Sequence, residues 1–297
     1  MIRPAAPRPL NSVEDELRAS IQDILLRTGG VLLRGFAIHT PLELQKFAAG
    51  FGRPLVNYDF ASTPRTRILR GVYSSTEYPA HQHIPLHNEQ SYTRQWPSRI
   101  WFHCIRPGLA GGETPIADSR QVFRRLPPSL REEFIARELL YVRNYGGGLD
   151  LPWQQVFDTA DPGAVERYCA RQGIDWEWQA GGGLRTRQRC PAAIRHPATG
   201  DWVWFNQAHL FHASALEPAV RASLLETLGE AGLPRNVYFG DGGAIPDAAL
   251  ETIRAVYSAA AVAFPWQAGD VLMLDNLLTA HGRRPYSGER RVVVAMA

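Results

Sequence analysis

The pattern of apolar and polar positions predicts helices near both ends of the chain. Over residues 12–26 apolar side chains recur every three or four positions, which indicates an amphipathic helix that Gly29 would end. Thr40 and Glu43 enclose a proline at the first helical position, and this capping box predicts a helix over 40–49. Further helices are predicted over 217–231 and 247–263, with two short ones inside 122–140.

Short apolar runs bounded by turn residues predict β-strands between these helices. The runs cover residues 31–36, 68–73, 98–106, 201–207, 270–275 and 291–296. Because strands and helices do not alternate regularly, we expect an α+β protein built on a β-sandwich or jelly roll, not a doubly wound sheet. Residues 146–200 have the least regular pattern of apolar and polar positions in the chain. This stretch could form a lid over a site or a plain surface excursion, and the sequence leaves both interpretations open.

The composition is that of a globular protein, and we expect one domain over residues 1–297. Hydrophobic residues make up 45% and charged residues 21% of the chain, which excludes a disordered protein. The formal net charge is only +3 and no basic block occurs, so neither nucleic acid nor a membrane is an expected partner. No signal-peptide core and no apolar run of roughly 20 residues occurs, so we expect a cytoplasmic protein. The oligomeric state is not predicted.

The candidate chemistry lies in the triplet His87-Asn88-Glu89. In an extended strand, residues two apart share a face, so His87 and Glu89 could hold one metal ion while Asn88 points away. An imidazole and a carboxylate are two members of the 2-His-1-carboxylate set that binds non-haem Fe(II) and leaves coordination positions open. His281 is the best candidate for the missing histidine. By itself a His-x-Glu triplet is weak, because such triplets arise by chance.

Three other histidines are expected to be structural. His103 alternates with apolar residues of a predicted strand, and no acid stands at a ligand spacing from it. His209 and His212 have a helical i, i+3 spacing that would suit a second metal pair, but no acid accompanies them either.

Three motifs in a fixed order make the sequence resemble a known family. The His-x-Glu triplet at His87 is followed by a Gly-Gly-Glu-Thr motif ending at Thr114, and then by His281 with arginines after it. With these motifs the sequence resembles the TauD/TfdA (taurine dioxygenase-like) family of Fe(II)/2-oxoglutarate-dependent oxygenases, most closely its branch of syringomycin-type amino-acid hydroxylases. The resemblance extends from about Gly30 to the C-terminus and is weakest over 146–200. It implies a double-stranded β-helix, a jelly-roll or cupin-like core, with flanking helices and a long irregular insertion.

The resemblance implies roles for individual residues. The implied iron ligands are His87, Glu89 and His281. Thr114 matches a hydroxyl residue and Arg291 an arginine that together hold the far carboxylate of 2-oxoglutarate, while Arg290 is the alternative because one residue of alignment error exchanges the two. The candidate substrate-binding residues are Asn206, Gln207 and His83.

The implied cofactors are Fe(II), 2-oxoglutarate as co-substrate and O2. The implied reaction hydroxylates an unactivated C–H of an amino acid, or of an aminoacyl group on a carrier protein, in secondary-metabolite biosynthesis. A carboxylate at Glu89 argues against a halogenase, in which the family has a small residue there. Ala295 stands where taurine dioxygenase has a further arginine for the sulfonate, which argues against a sulfonate substrate.

Other functions stay open at this point. The same cofactor chemistry serves desaturation and ring closure. A set of two histidines and a glutamate also binds catalytic zinc in hydrolases, although no His-Glu-x-x-His helix is present and Thr114 and Arg291 would then lack a role. A non-catalytic binding protein on a sandwich fold is the third class. Metal content and oxygen-coupled release of succinate would separate these classes.

Overall fold

The computed structural model describes residues 1–6, 8–12, 15–56, 65–146 and 148–297. The helices are α1 (Asp15–Thr28), α2 (Pro41–Ala49), α3 (Ser119–Arg125), α4 (Pro128–Arg137), α5 (Trp153–Val156), α6 (Pro162–Gln172), α7 (Ala208–Phe211), α8 (Pro218–Leu228) and α9 (Asp247–Ala260). None of the helices in these ranges combines the length and the apolar composition needed to cross a bilayer.

The strands are short and fall into several antiparallel sheets. They are β1 (Gly30–Leu33), β2 (Arg67–Leu69), β3 (Val72–Ser74), β4 (Ile84–His87), β5 (Arg99–Arg106), β6 (Ala110–Gly111), β7 (Ile116–Asp118), β8 (Leu139–Tyr145), β9 (Asp175–Trp178), β10 (Leu184–Cys190), β11 (Ala193–Arg195), β12 (Trp202–Trp204), β13 (Arg235–Phe239), β14 (Val271–Asp275), β15 (Thr279–Arg283), β16 (Tyr286–Ser287) and β17 (Arg291–Met296).

Two of the sheets face each other and form the jelly-roll core that the sequence predicted. The larger has the strand order β1-β14-β5-β17-β3-β2, and the smaller has the order β4-β15-β7. Phe102 of β5 meets His281 of β15 across the gap, with ring centroids 5.0 Å apart. A further sheet, β13-β8-β10-β9, shares a hydrophobic core with α3, α4, α9 and the outer face of the smaller sheet.

Strand β14 of the larger sheet is buried on both faces, which explains why it is a nearly continuous apolar run. Val271 and Met273 of β14 pack into a core with helices α1 and α2, while Leu272 and Leu274 point to the other side, toward Phe102. Successive side chains of a strand alternate between faces, so a strand covered on both sides needs apolar residues at every position.

Several predicted elements are confirmed. The capping box of α2 is present: Glu43 N donates to Thr40 Oγ1 at 3.3 Å, and Thr40 N donates to the Glu43 carboxylate at 2.8 Å. Strands β1, β5, β14 and β17 lie within their predicted ranges, give or take one residue. Val13, near the predicted start of the first helix, lies outside the described residues.

Residues 146–200 are more regular than their sequence suggested. They contain α5, α6 and β9–β11, and β10 pairs with both β8 and β9. In β10 the buried positions include Thr186 and Gln188, between arginines that are more exposed. Because polar residues occupy buried positions, the strand lacks the apolar alternation by which strands are recognised in a sequence.

Candidate metal centre

The two candidate histidine ligands are brought together by strand pairing. His87 ends β4 and lies directly opposite His281 of β15 in the antiparallel register, with ring centroids 4.7 Å apart. The i, i+2 spacing predicted that Glu89 lies on the same strand as His87. Instead, Glu89 lies in the turn that follows the strand, where Gln90 has a positive φ of 54°. One ligand atom from each of His87, Glu89 and His281 lies within 4.8 Å of the others.

The imidazoles are held in the neutral form that coordinates metals. His87 Nδ1 lies 2.8 Å from Pro85 O and must donate to that carbonyl, which leaves the lone pair on Nε2. Burial lowers the pKa of His87, partly opposed by the Glu89 carboxylate. Burial also holds the pKa of His281 well below its usual range, with further lowering by His87 and Arg65. Neutral imidazole and carboxylate are the protonation states that metal binding requires.

The main chain at Glu89 is clamped by Asn276, a fully buried side chain just after β14. Glu89 N donates to Asn276 Oδ1 at 2.7 Å, and Asn276 Nδ2 donates to Glu89 O at 3.0 Å. Asn88 Nδ2 donates to Asn276 O at 2.6 Å, so the residue between the two ligands points away from the centre as predicted. No motif in the sequence pointed to Asn276; the polar pair Asp275-Asn276 at the end of an apolar strand was the available signal.

Arg65 forms an ion pair with Glu89. Its Nη2 lies 2.6 Å from Glu89 Oε2, and the side chains are only 3% and 4% exposed. A buried carboxylate requires a compensating charge, and Arg65 supplies it. Arg65 stands outside every motif, so the sequence gives no signal for this role.

A small cavity of about 30 Å³ adjoins the metal ligands, and three arginines, Arg65, Arg283 and Arg290, are among its lining residues. Its lining includes both ligand histidines, Thr114, Ser75, Arg65 and Arg290. Arg290 Nε donates to Gly112 O at 2.9 Å, and Thr114 Oγ1 accepts from Trp266 Nε1 at 3.1 Å. Burial lowers the pKa of Arg290 to about 10, so the guanidinium is charged at neutral pH. A cation and a hydroxyl beside a metal centre can bind a carboxylate.

The Gly-Gly-Glu-Thr motif makes room for that arginine. Gly112 has a φ of +77°, and a Cβ there would lie 2.8 Å from Arg290 Cδ. Only glycine adopts this backbone readily and lets the guanidinium reach the main chain. The motif thus positions both Thr114 and Arg290.

The two candidate arginines differ in exposure and in their place relative to the cavity. Arg291, the first choice from the resemblance, is exposed at the start of β17, whereas Arg290 is half-buried and lines the cavity at the metal ligands. The pairing of β17 with β5 shifts register between Arg291 and Val292. Such a bulge changes which residues face inward, and sequence spacing does not reveal it.

The expected substrate residues do not line the small cavity at the metal ligands. Gln207 Nε2 donates to Asn88 O at 2.8 Å, and Asn206 Nδ2 donates to Ala192 O at 2.7 Å, both in the buried interior. Gln207 thus holds the main chain between the two ligands of the His-x-Glu triplet, whereas Asn206 holds the main chain at Ala192. His83 is exposed and lines a different cavity, together with His209.

Comparison with known proteins agrees with this geometry. The family described as "Taurine catabolism dioxygenase TauD, TfdA family" matches residues 3–296. Dapdiamide synthesis protein DdaC of Enterobacter agglomerans is 42% identical over 276 residues, covering 93% of this chain and 84% of DdaC. A clavaminate synthase-like protein of Arabidopsis thaliana is 31% identical over 306 residues, covering 99% of this chain and 89% of that protein.

Solved structures share the fold at low sequence identity. PvcB of Pseudomonas aeruginosa superposes with a TM-score of 0.58 at 16% identity, covering 99% of this chain and 84% of PvcB. A taurine dioxygenase of Burkholderia xenovorans gives a TM-score of 0.58 at 17% identity, with coverage of 97% and 82%. The chain therefore belongs to the TauD/TfdA family of Fe(II)/2-oxoglutarate-dependent dioxygenases, as its motifs predicted, and is an oxidoreductase with a jelly-roll core.

Proposed function

We propose that this dioxygenase hydroxylates an unactivated C–H bond of an amino acid, or of an aminoacyl group carried by a carrier protein, in secondary-metabolite biosynthesis. In the balanced reaction, 2-oxoglutarate and O2 give succinate and CO2, and one oxygen atom enters the substrate C–H bond. The observation that carries the proposal is the convergence of His87, Glu89 and His281 within 4.8 Å, beside a cavity lined by Arg290.

In this proposal the protein binds and orients the reactants. His87, Glu89 and His281 hold Fe(II), which supplies the oxidising chemistry when bound. Arg290 and Thr114 hold the far carboxylate of 2-oxoglutarate, because a guanidinium and a hydroxyl give it donors of fixed geometry. We assign this role to Arg290 and not to Arg291, because Arg290 is half-buried and lines the cavity whereas Arg291 is exposed. Gln207, which donates to Asn88 O, is assigned to support of the ligand segment instead of to substrate binding.

A pocket beside the turn that contains Glu89 is the candidate space for the substrate, although none of the three metal ligands lines it. Gln90 follows that ligand directly and lines a pocket of about 360 Å³. The described lining also includes Thr93, Trp96, Tyr168 and Gln188. Hydroxyl and amide groups beside aromatic rings suit a small molecule that has both polar and apolar parts.

The names of similar proteins support a biosynthetic role. DdaC is described as a dapdiamide synthesis protein, and PvcB as an oxygenase from an isonitrile synthetic pathway. A taurine-like substrate is disfavoured. If Arg290 binds 2-oxoglutarate, the position four residues later is Val294 instead of Ala295, and both are buried apolar residues without a charge for a sulfonate.

The test is turnover with a panel of free amino acids and aminoacyl carrier proteins. We expect oxygen-dependent succinate formation together with a product about 16 mass units heavier than the substrate, by one oxygen atom. Desaturation or ring closure would instead give a product about 2 mass units lighter, since the same oxidation removes two hydrogens. A His281→Gln variant is the matched control and should give neither product. Succinate release that no member of the panel stimulates would contradict the proposed substrate class.

A further inference from the structure

A second, larger cavity lies behind strand β4. Its volume is about 450 Å³, which is within the range of ligand-binding cavities. Ile84 and His87 face the cavity at the metal ligands, whereas His83, Pro85 and Leu86 line this one. The two cavities share none of their described lining residues, so this is a separate site.

The floor of the cavity, formed by His209 and Tyr257, contains two buried polar atoms without a hydrogen-bond partner among the described residues. His209 and Tyr257 are 2% and 3% exposed, and their rings stack with centroids 4.7 Å apart. His209 Nε2 donates to Leu86 O at 2.9 Å, so its Nδ1 carries a lone pair. Neither that Nδ1 nor Tyr257 Oη has a hydrogen-bond partner among the described residues. Buried polar groups are nearly always paired, so a ligand in this cavity should donate a hydrogen bond to His209 Nδ1 and form another with the Tyr257 hydroxyl.

The mouth of the cavity is cationic. Arg254 of α9 and Arg284, just after β15, both line it, and none of its described lining residues is acidic. Arg254 is fixed by two hydrogen bonds, from Nε to His209 O at 3.1 Å and from Nη2 to Ser214 Oγ at 2.8 Å. Two acids of the same helix lie near Arg254: Asp247 is paired with Arg221, and the exposed Glu251 offsets part of the charge of Arg254. The charge of this surface therefore favours an anion.

We propose that this cavity binds a small hydroxycarboxylate. Its carboxylate lies between Arg254 and Arg284, its hydroxyl donates to His209 Nδ1, and its alkyl chain packs on apolar lining residues such as Pro115. An α-amino acid would place an ammonium group in a site that already holds two arginines, so the hydroxy acid is preferred.

The protonation state of the floor is consistent with this assignment. Burial lowers the pKa of His209 to about 3, so the imidazole is a neutral acceptor at physiological pH. Burial also raises the pKa of Tyr257, which keeps its hydroxyl protonated.

The probes are 2-hydroxy-4-methylpentanoate, its deoxy counterpart 4-methylpentanoate, and leucine, which share one carbon skeleton. Calorimetric titration is run on the full chain with and without Mn(II) and saturating 2-oxoglutarate. We expect one equivalent of the hydroxy acid to bind in both conditions, about fivefold or more tightly than the deoxy acid, because one hydrogen bond is added. Equal affinity for the two acids, or tighter binding of leucine, would overturn the assignment, and so would loss of binding when 2-oxoglutarate is present.

Two variants that should fold normally locate the binding. Tyr257→Phe keeps the ring stacking and removes only the unpaired hydroxyl, and Arg284→Gln changes an exposed side chain. We expect about fivefold and about tenfold weaker binding respectively, from the loss of a neutral and of a charge-assisted contact. Arg167→Gln, at an exposed position of α6 that lines neither cavity, is the control and should bind as the wild type does. Wild-type affinity in both cavity variants would refute the site.

Discussion

Arg65 and Glu89 form a buried ion pair, with Arg65 Nη2 2.6 Å from Glu89 Oε2. Glu89 belongs to the proposed metal set, so a bound divalent ion would bring a second positive charge to the same carboxylate. Arg65 and the metal ion would therefore both compensate the charge of Glu89. The contribution of Arg65 to the free energy of unfolding should then depend on whether metal is bound.

Replacing Arg65 with methionine should destabilise the metal-free protein more than the metal-loaded protein. Without metal, the substitution leaves an uncompensated buried carboxylate, which costs about 3–5 kcal/mol. With Mn(II) bound, the ion supplies positive charge beside Glu89, so the substitution should lower the free energy of unfolding by less. Thermal unfolding of both forms measures the difference, with Arg67→Met at a nearby exposed position as control. An equal loss in the two forms would show that Arg65 does not compensate Glu89.

Arg290→Gln should mainly raise the KM for 2-oxoglutarate. Loss of a charge-assisted hydrogen bond costs about 1.5–3 kcal/mol, which corresponds to an increase of roughly 10–100-fold. The kcat at saturating 2-oxoglutarate should fall much less, because ground-state and transition-state binding are weakened alike. Arg291→Gln is the matched control, and as a surface change it should stay within about twofold of wild type. The reverse ranking of the two variants would return the role to Arg291.

Asn276→Ala should weaken iron binding although Asn276 is not itself a ligand. It removes the groups that hold both the N–H and the carbonyl of Glu89. Loss of a hydrogen bond that orients a metal-ligating residue typically lowers the metal affinity about 10–100-fold. Asn144→Ala is a suitable control, because Asn144 also donates to two carbonyls, those of Ala231 and Leu233, but in another sheet. If both variants lose stability and both keep normal iron affinity, Asn276 has no role in positioning Glu89.

Stability should fall as the pH drops from about 6.5 toward 4, partly through His103. Burial lowers the pKa of this fully buried histidine in β5 to about 4, below its ordinary value of 6.5. In that window the unfolded chain binds a proton that the folded chain does not, which favours unfolding by up to roughly 3 kcal/mol. His103→Gln removes this contribution and should flatten the pH dependence of the unfolding free energy. An unchanged slope between pH 6.5 and 4.5 would assign the effect to other groups.

The sequence predicted the local elements and motifs better than the contacts between them. The capping box at Thr40 and the apolar strand β14 follow from residues close together in the chain. The pair Glu89–Asn276 joins residues 187 positions apart, and no local pattern specifies such a contact. Glu89 was predicted on a strand but lies in a turn, because β4 ends at His87.

The choice between Arg290 and Arg291 also depends on a contact between distant parts of the chain. It depends on a register shift at the start of β17, which is set by the partner strand β5 and not by the residues themselves. Arg65 stands outside any motif, and its role became visible only through its 2.6 Å contact with Glu89.

The most direct test of the central claim is an anaerobic titration of the metal-free protein with Fe(II) and 2-oxoglutarate, followed by visible absorption. We predict a weak metal-to-ligand charge-transfer band that saturates at one equivalent of iron in the wild type. The band should be absent in His87→Ala and His281→Ala variants that circular dichroism shows to be folded. A folded, iron-loaded wild-type protein without the band, or a band that survives in either variant, would contradict the assignment of this metal centre.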